Sequence, residues 1–172
     1  MEINNYQEAM TQLITVKKIA AREITAENFA PYGQVIWTTP DYKKYDDKDA
    51  LLNLTNGTPR FYIMRLEKTG RKFSKITRHV LCTQCLGSLA GKEWLIAVAP
   101  PSESNKPDLE NLAAFRVPAN CFIKLEAGTW HAGPHFEEEF IDFYNLELSD
   151  TNEVDRYSYD FLKSHDLELE IV

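Results

Sequence analysis

Two histidines, His79 and His131, are the side chains of this sequence best suited to moving a proton near neutral pH. An unperturbed imidazole titrates at about 6.5, so either ring can take or give a proton there. His131 ends the run Glu126-Ala127-Gly128-Thr129-Trp130-His131. Gly128 permits a tight turn, after which His131 emerges beside the bulky Trp130, as an imidazole does at the mouth of a β-barrel. His79 lies in Thr77-Arg78-His79, inside a stretch that reads as a strand. Regular alternation would put Thr77, His79, Leu81, Thr83 and Cys85 on one face, with Arg78, Val80, Cys82 and Gln84 on the other. A bulge would change that pattern. Spacing alone does not bring the two rings together.

Three other patterns resemble chemical motifs and are set aside. Cys82-Thr83-Gln84-Cys85 has the spacing of a redox or zinc pair, but only Cys121 remains to complete a ribbon. The pair also lies in or after a strand rather than at a helix N-terminus, where a thiol would be activated. The cysteines read as small buried residues. His131 and His135 are four apart, which on a helix would allow zinc binding, but Gly133-Pro134 prevents a helix. His135 reads as a loop histidine. Asp150 to Asp155 begins like a calcium loop, yet Val154 and Asp155 stand where an oxygen ligand and glycine are required. It reads as an exposed turn, with Asp150 and Asn152 bonded to their own backbone.

The elements that would position these residues are mostly strands. Segments 34–37, 60–66, 73–81, 94–99, 113–117, 121–125 and 140–148 are rich in branched and aromatic residues and are punctuated by Gly, Pro, Asn and Asp. Helical signals are few. Asn5 to Leu13 suits a short N-terminal helix, Thr25 can cap one turn through Phe29, and Asp108 to Leu112 suits another turn. The tail Ser164 to Val172 alternates apolar residues with acids and reads as an edge strand. Many short strands with few helices predict a β-sandwich or barrel.

The 172 residues fit one domain, with no internal repeat or linker. The net charge of −7 argues against nucleic acid and against an anionic membrane surface. It allows an anionic small molecule wherever a few cations face one pocket. No secretory signal or spanning segment is legible, so the expected setting is the cytoplasm.

Taken in order, these residues resemble the ureidoglycolate lyases of the cupin superfamily. The matching pieces are Phe29-Ala-Pro31-Tyr32-Gly33-Gln-Val35-Ile36, Arg78-His79, Thr83-Gln84 and Trp94 to Ala99. Pro107-Asp108-Leu109, Ala114-Phe115, Gly128 to His131 and Asp142-Phe143 follow. They are collinear from about Ile24 to Asp155, leaving an N-terminal segment before and residues 156–172 after. The resemblance implies an all-β, double-stranded β-helix (a cupin-like jelly-roll barrel) with a few short helices, commonly as a homodimer. It implies a lyase that splits ureidoglycolate into glyoxylate and urea during nitrogen recovery from purines through allantoin. His131 then matches the histidine of the second cupin motif and His79 that of the first. Leu81 replaces the second histidine of a full first motif, and the usual glutamate falls near Gln84 or Cys85. Glu126 stands where relatives often carry another histidine.

Ureidoglycolate is a hemiaminal bearing a carboxylate. Its cleavage needs a base for the hydroxyl proton and an acid for the departing nitrogen. That chemistry points to His131 as base or metal ligand and His79 as its partner, with Glu126 as an imidazole partner or itself the base. Gln84 and Asn145 are amides suited to the urea group. For the carboxylate the choice by adjacency is Arg78, then Arg60 and Lys124, with Trp130 beside them. His79, Gln84, Glu126 and His131 could also hold a divalent zinc, manganese or nickel ion, which their mixed nitrogen and oxygen set does not distinguish. Two other readings stay open: a metal-dependent cupin isomerase or oxygenase, which Leu81 weakens, and a non-catalytic cupin that holds a small anion.

Overall fold

The strand β8 (Trp94–Ala99) is buried along its whole length. A strand with only one covered face alternates between buried and exposed residues; one buried throughout is covered on both. The side chains of β8 divide accordingly. Trp94, Ile96 and Val98 enter one core, while Leu95, Ala97 and Ala99 enter another. This sheet is therefore the middle layer of three.

The computed structural model describes residues 13–172. The middle sheet has six strands in the order β13 (Tyr157–Asp160), β6 (Lys75–Arg78), β11 (Trp130–His135), β8, β9 (Ala113–Val117), β2 (Ala21–Glu23). A five-stranded sheet faces it, in the order β3 (Gly33–Trp37), β10 (Cys121–Leu125), β7 (Gln84–Ser88), β12 (Phe140–Leu148), β4 (Pro59–Glu67). Between them lies the larger core, with Trp94 edge-on to Phe143 at 5.3 Å and Phe29, Tyr32 and Phe115 clustered nearby. Full burial of each such side chain is worth roughly 1.5–3 kcal/mol. Against the other face of the middle sheet packs a three-stranded sheet, β1 (Thr15–Ile19), β14 (Leu167–Ile171), β5 (Lys72–Phe73). It contributes Phe73, Leu169 and Ile171 to the second core, where Phe161 of the short helix α3 (Phe161–His165) joins them.

This is the all-β, cupin-like architecture implied by the resemblance, with a qualification. The two large sheets face each other, but no strand pairing among the described residues joins their edges into a closed barrel. The strands expected over 94–99, 113–117, 121–125 and 140–148 form over those residues. Thr25 caps α1 (Ala26–Phe29), accepting from the Asn28 amide while the Asn28 side chain accepts from the Thr25 N–H. Gly33 is required where β3 crosses β10, since a Cβ there would lie 1.8 Å from the Lys124 carbonyl oxygen. The helix expected over Asn5 to Leu13 falls almost entirely outside the described residues.

Four expectations are corrected. The single strand over 73–81 is two, β5 and β6, and pairing stops at Arg78. The tail strand β14 is not at an edge but lies between β1 and β5, parallel to the first and antiparallel to the second. Asp108 to Leu112 makes bends rather than a helical turn, with the Asp108 carboxylate accepting from the Glu110 and Asn111 amides. The acidic cluster from Asp150 is not merely an exposed turn. It forms α2 (Thr151–Val154), with Thr151 and Asp155 buried.

Cys82, Cys85 and Cys121 are free and buried, as the packing reading requires. Burial pushes the thiols of Cys85 and Cys121 up to about 11, which leaves them unreactive. Among the described residues no helix is long and apolar enough to cross a membrane.

Candidate active site

β11 starts after the turn at Gly128 and carries its side chains alternately to opposite faces of the middle sheet. Trp130 enters the second core, and the next residue, His131, faces the five-stranded sheet. His131 lies opposite Thr77 in the pairing of β11 with β6. His79 follows Thr77 by two residues and so keeps to the same side as His131, although the chain leaves the strand beyond Arg78. The two imidazole centroids are 5.3 Å apart at 48°.

Both rings are oriented by backbone carbonyls. His79 Nδ1 lies 2.6 Å from the Asp155 carbonyl oxygen, and His131 Nδ1 lies 3.2 Å from that of Thr129. A carbonyl only accepts, so each neutral ring carries its proton on Nδ1 and keeps the Nε2 lone pair free. Asp155 also fixes the segment behind His79, its carboxylate accepting from the amides of Val80 and Leu81 at 2.9 and 2.8 Å. Sequence reasoning missed this residue. Its only sequence signal was a failed calcium pattern.

The rings line a cavity of about 360 Å³ between the two large sheets. Its walls also include Gln84, Asn145, Asn152, Thr77, Lys75 and Arg156. Regular alternation would have separated Gln84 from His79. They share the cavity because 79–83 is not strand. His135, read as a loop histidine, is the buried last residue of β11 and borders the same cavity. Its Nδ1 faces the Gly70 carbonyl at 3.1 Å, leaving Nε2 buried without a partner.

Enclosure by protein and the neighbouring His79 push the His131 pKa down to about 3, and Arg156 adds to the effect. The sign for stability follows directly. The unfolded ring titrates near 6.5 and binds more protons than the folded one between that value and about 3. Stability is therefore full above pH 6.5 and is lost as pH falls toward 3, at a limiting slope of about 1.4 kcal/mol per pH unit for one proton. His135, also lowered by burial, acts in the same direction. A melting series from pH 7 to 4 is expected to show this fall, and His131→Leu to flatten it. An equal slope in the variant would refute the assignment.

The expected cation cluster is not found in the cavity. Arg78 is buried and donates to the carbonyls of Ser102 and Ser104 and to the Asn105 side chain, with its guanidinium 4.5 Å above the Trp130 ring. It clamps the loop 100–107. Arg60 stacks on Tyr62 at 3.7 Å, away from the cavity. Lys124 is buried and hydrogen-bonded to Glu126, and both border a second pocket beneath residues 45–53. The cations that do line the histidine cavity are Lys75 and Arg156, which adjacency in sequence did not single out.

His79, Gln84, Glu126 and His131 all border one narrow void, but Glu126 is held by Lys124. Among the described residues no three His, Cys, Asp or Glu side chains are arranged to hold a metal ion. Of these four, the free donors are the Nε2 atoms of His79 and His131 and the orphaned Gln84 Oε1, with no free anionic ligand. That set is short of a metal cage.

Fold and cavity together define a cupin-like protein with a histidine-lined site for a small polar molecule. A family model described as ureidoglycolate lyase matches residues 16–162. The chain belongs to the ureidoglycolate lyase family. It is similar to the ureidoglycolate lyase of Schizosaccharomyces pombe, 27% identical over 146 residues, covering 67% of this chain and 76% of that one.

Proposed function

We propose that this chain cleaves ureidoglycolate into glyoxylate and urea, with His131 as base and His79 as its partner. The observation that carries the reading is the pair of imidazoles, each held at Nδ1 by a backbone carbonyl, side by side in one cavity. His131 Nε2 takes the proton of the hemiaminal hydroxyl. The C–O bond becomes the aldehyde carbonyl as the C–N bond breaks. The bonding pair leaves on nitrogen, which receives a proton from the imidazole pair, and urea departs. A ring with a pKa of about 3 is a weak base on its own. The substrate carboxylate supplies a negative charge that raises the pKa of the ring once bound. Arg156 and Lys75 are the cations available to hold that carboxylate. Arg156 makes no ion pair among the described residues, and Lys75 has only a 3.8 Å contact with Asp160. Gln84, Asn145 and Asn152 face the ureido end.

The homodimer, the cytoplasmic setting and the role in purine nitrogen recovery belong to the same reading. Phe61 and Ile63, exposed on the outer side of β4, offer apolar surface that a second copy would cover. No step is assigned to a metal, because the donor set lacks an anionic ligand. Incubation with ureidoglycolate is expected to release glyoxylate and urea in equal amounts, with the rate unchanged by a chelator. A folded chain that yields neither product would end the proposal. Loss of the rate with chelator, restored by zinc, manganese or nickel, would favour the metal-bound alternative.

A further inference from the structure

The polar floor of the cavity carries a direction. Glu147 of β12 is buried, and no cation contacts it among the described residues. Its Oε1 accepts from the Tyr62 hydroxyl at 3.0 Å and from Asn152 Nδ2 at 3.2 Å. Its Oε2 accepts from Gln84 Nε2 at 2.9 Å. A carboxylate only accepts, so each of these groups must donate to it. With its proton given to Glu147, the Tyr62 oxygen accepts from Asn145 Nδ2 at 2.9 Å. That turns Asn145 Oδ1 toward Gln84, where it accepts from the same Nε2 at 3.2 Å. Both paths from Glu147 therefore give the same orientation of the Gln84 amide: nitrogen toward the network, oxygen away from it. Gln84 Oε1 is left buried without a partner in the wall beside the two histidines.

An unsatisfied buried acceptor costs about 1–3 kcal/mol, which a ligand N–H recovers on binding. A buried carboxylate with no counter-ion is also costly. We propose that Glu147 is a positioning residue that locks Gln84 with its carbonyl oxygen toward the cavity, making this wall select a ligand ending in N–H donors over an equal-sized one that lacks them. The inference rests on the ureido reading of the cavity and adds to it the residue that sets donor selectivity.

The test uses two inhibitors with the same skeleton and charge, N-carbamoylglycine and levulinate. They differ in that the first carries N–H groups where the second has methylene and methyl. Equal charge cancels the loss of the Glu147 charge from their ratio. The wild-type chain is expected to prefer N-carbamoylglycine at least about tenfold, the worth of roughly one buried hydrogen bond. Glu147→Gln frees the Gln84 amide to turn and is expected to remove most of that preference. Gln84→Met is expected to do the same, with Glu147→Gln adding nothing in the Gln84→Met background. A residue that acted only by supporting the fold would lower both affinities and leave their ratio intact.

Retention of the wild-type ratio in folded Glu147→Gln overturns the proposal and leaves the ureido reading standing. No preference in the wild-type chain overturns both. Should Glu147→Gln not fold, Tyr62→Phe releases Asn145 instead. It is expected to lower the ratio about threefold through the loss of one network bond, and an unchanged ratio there overturns the proposal.

Discussion

His131→Ala is expected to keep the fold and lose glyoxylate production by about 10²–10⁴-fold, the usual contribution of a positioned general base. The two consequences separate because of where the ring sits. Its partners are the Thr129 carbonyl, the neighbouring His79 and the cavity itself, not either core. Truncation enlarges a cavity already open and large enough for water, so no new sealed void is created in either core. The proton transfer has no substitute at that position. His79 remains, but the Asp155 carbonyl holds its ring from the other side. The effect is expected mainly in kcat, since the carboxylate and ureido contacts belong to other residues. Activity within about threefold of the wild type in a folded His131→Ala chain, well short of that contribution, would remove His131 from the base role.

The second large effect is expected at Asp155, and here stability and activity fall together. Its carboxylate accepts two backbone amides, its carbonyl orients His79, and the residue is buried. Hydrogen bonds to a charged group contribute about 1.5–3 kcal/mol each. Asp155→Ala removes two of them and leaves the amides of Val80 and Leu81 without these partners, a loss of about 3 kcal/mol or more. In a chain of this size that lowers the melting temperature by roughly 6–12 °C. The segment 79–83 then loosens, and the rate falls because His79 is no longer held against His131. Thermal melting and turnover on the same preparation check both halves. A variant that melts within about 2 °C of the wild type, a shift worth less than one such bond, would show that the segment is held elsewhere.

Much of the framework was legible from residue types and local pattern. The continuous apolar run of β8 marks a strand covered on both faces. The Thr25 cap and the strand–turn–histidine run ending at His131 depend on neighbours a few residues apart. The two histidines and the two amides of the cavity were also visible as residue types. The cationic residues were not. Arg78 was chosen because it adjoins His79, yet adjacent residues on a strand point to opposite faces, and Arg78 turns toward Trp130 and the loop 100–107. Lys75 and Arg156 reach the cavity because β13 pairs with β6, a contact between residues about eighty positions apart that no local pattern encodes.

By itself the sequence determined an acidic, strand-built chain with free cysteines, a cupin-like order of motifs and two histidines fit for proton transfer. Each of these follows from composition or from spacing within one element. Tertiary structure decided which side chains meet. It broke the strand after Arg78 so that His79 and Gln84 share a wall, and it buried Asp155 from a segment that reads as a surface turn. It also closed the network of Glu147, Tyr62, Asn145 and Gln84 from three different strands. The physical reason is that hydrogen-bond direction and burial depend on which residues are neighbours in space, and those neighbours come from strand pairing across the whole chain.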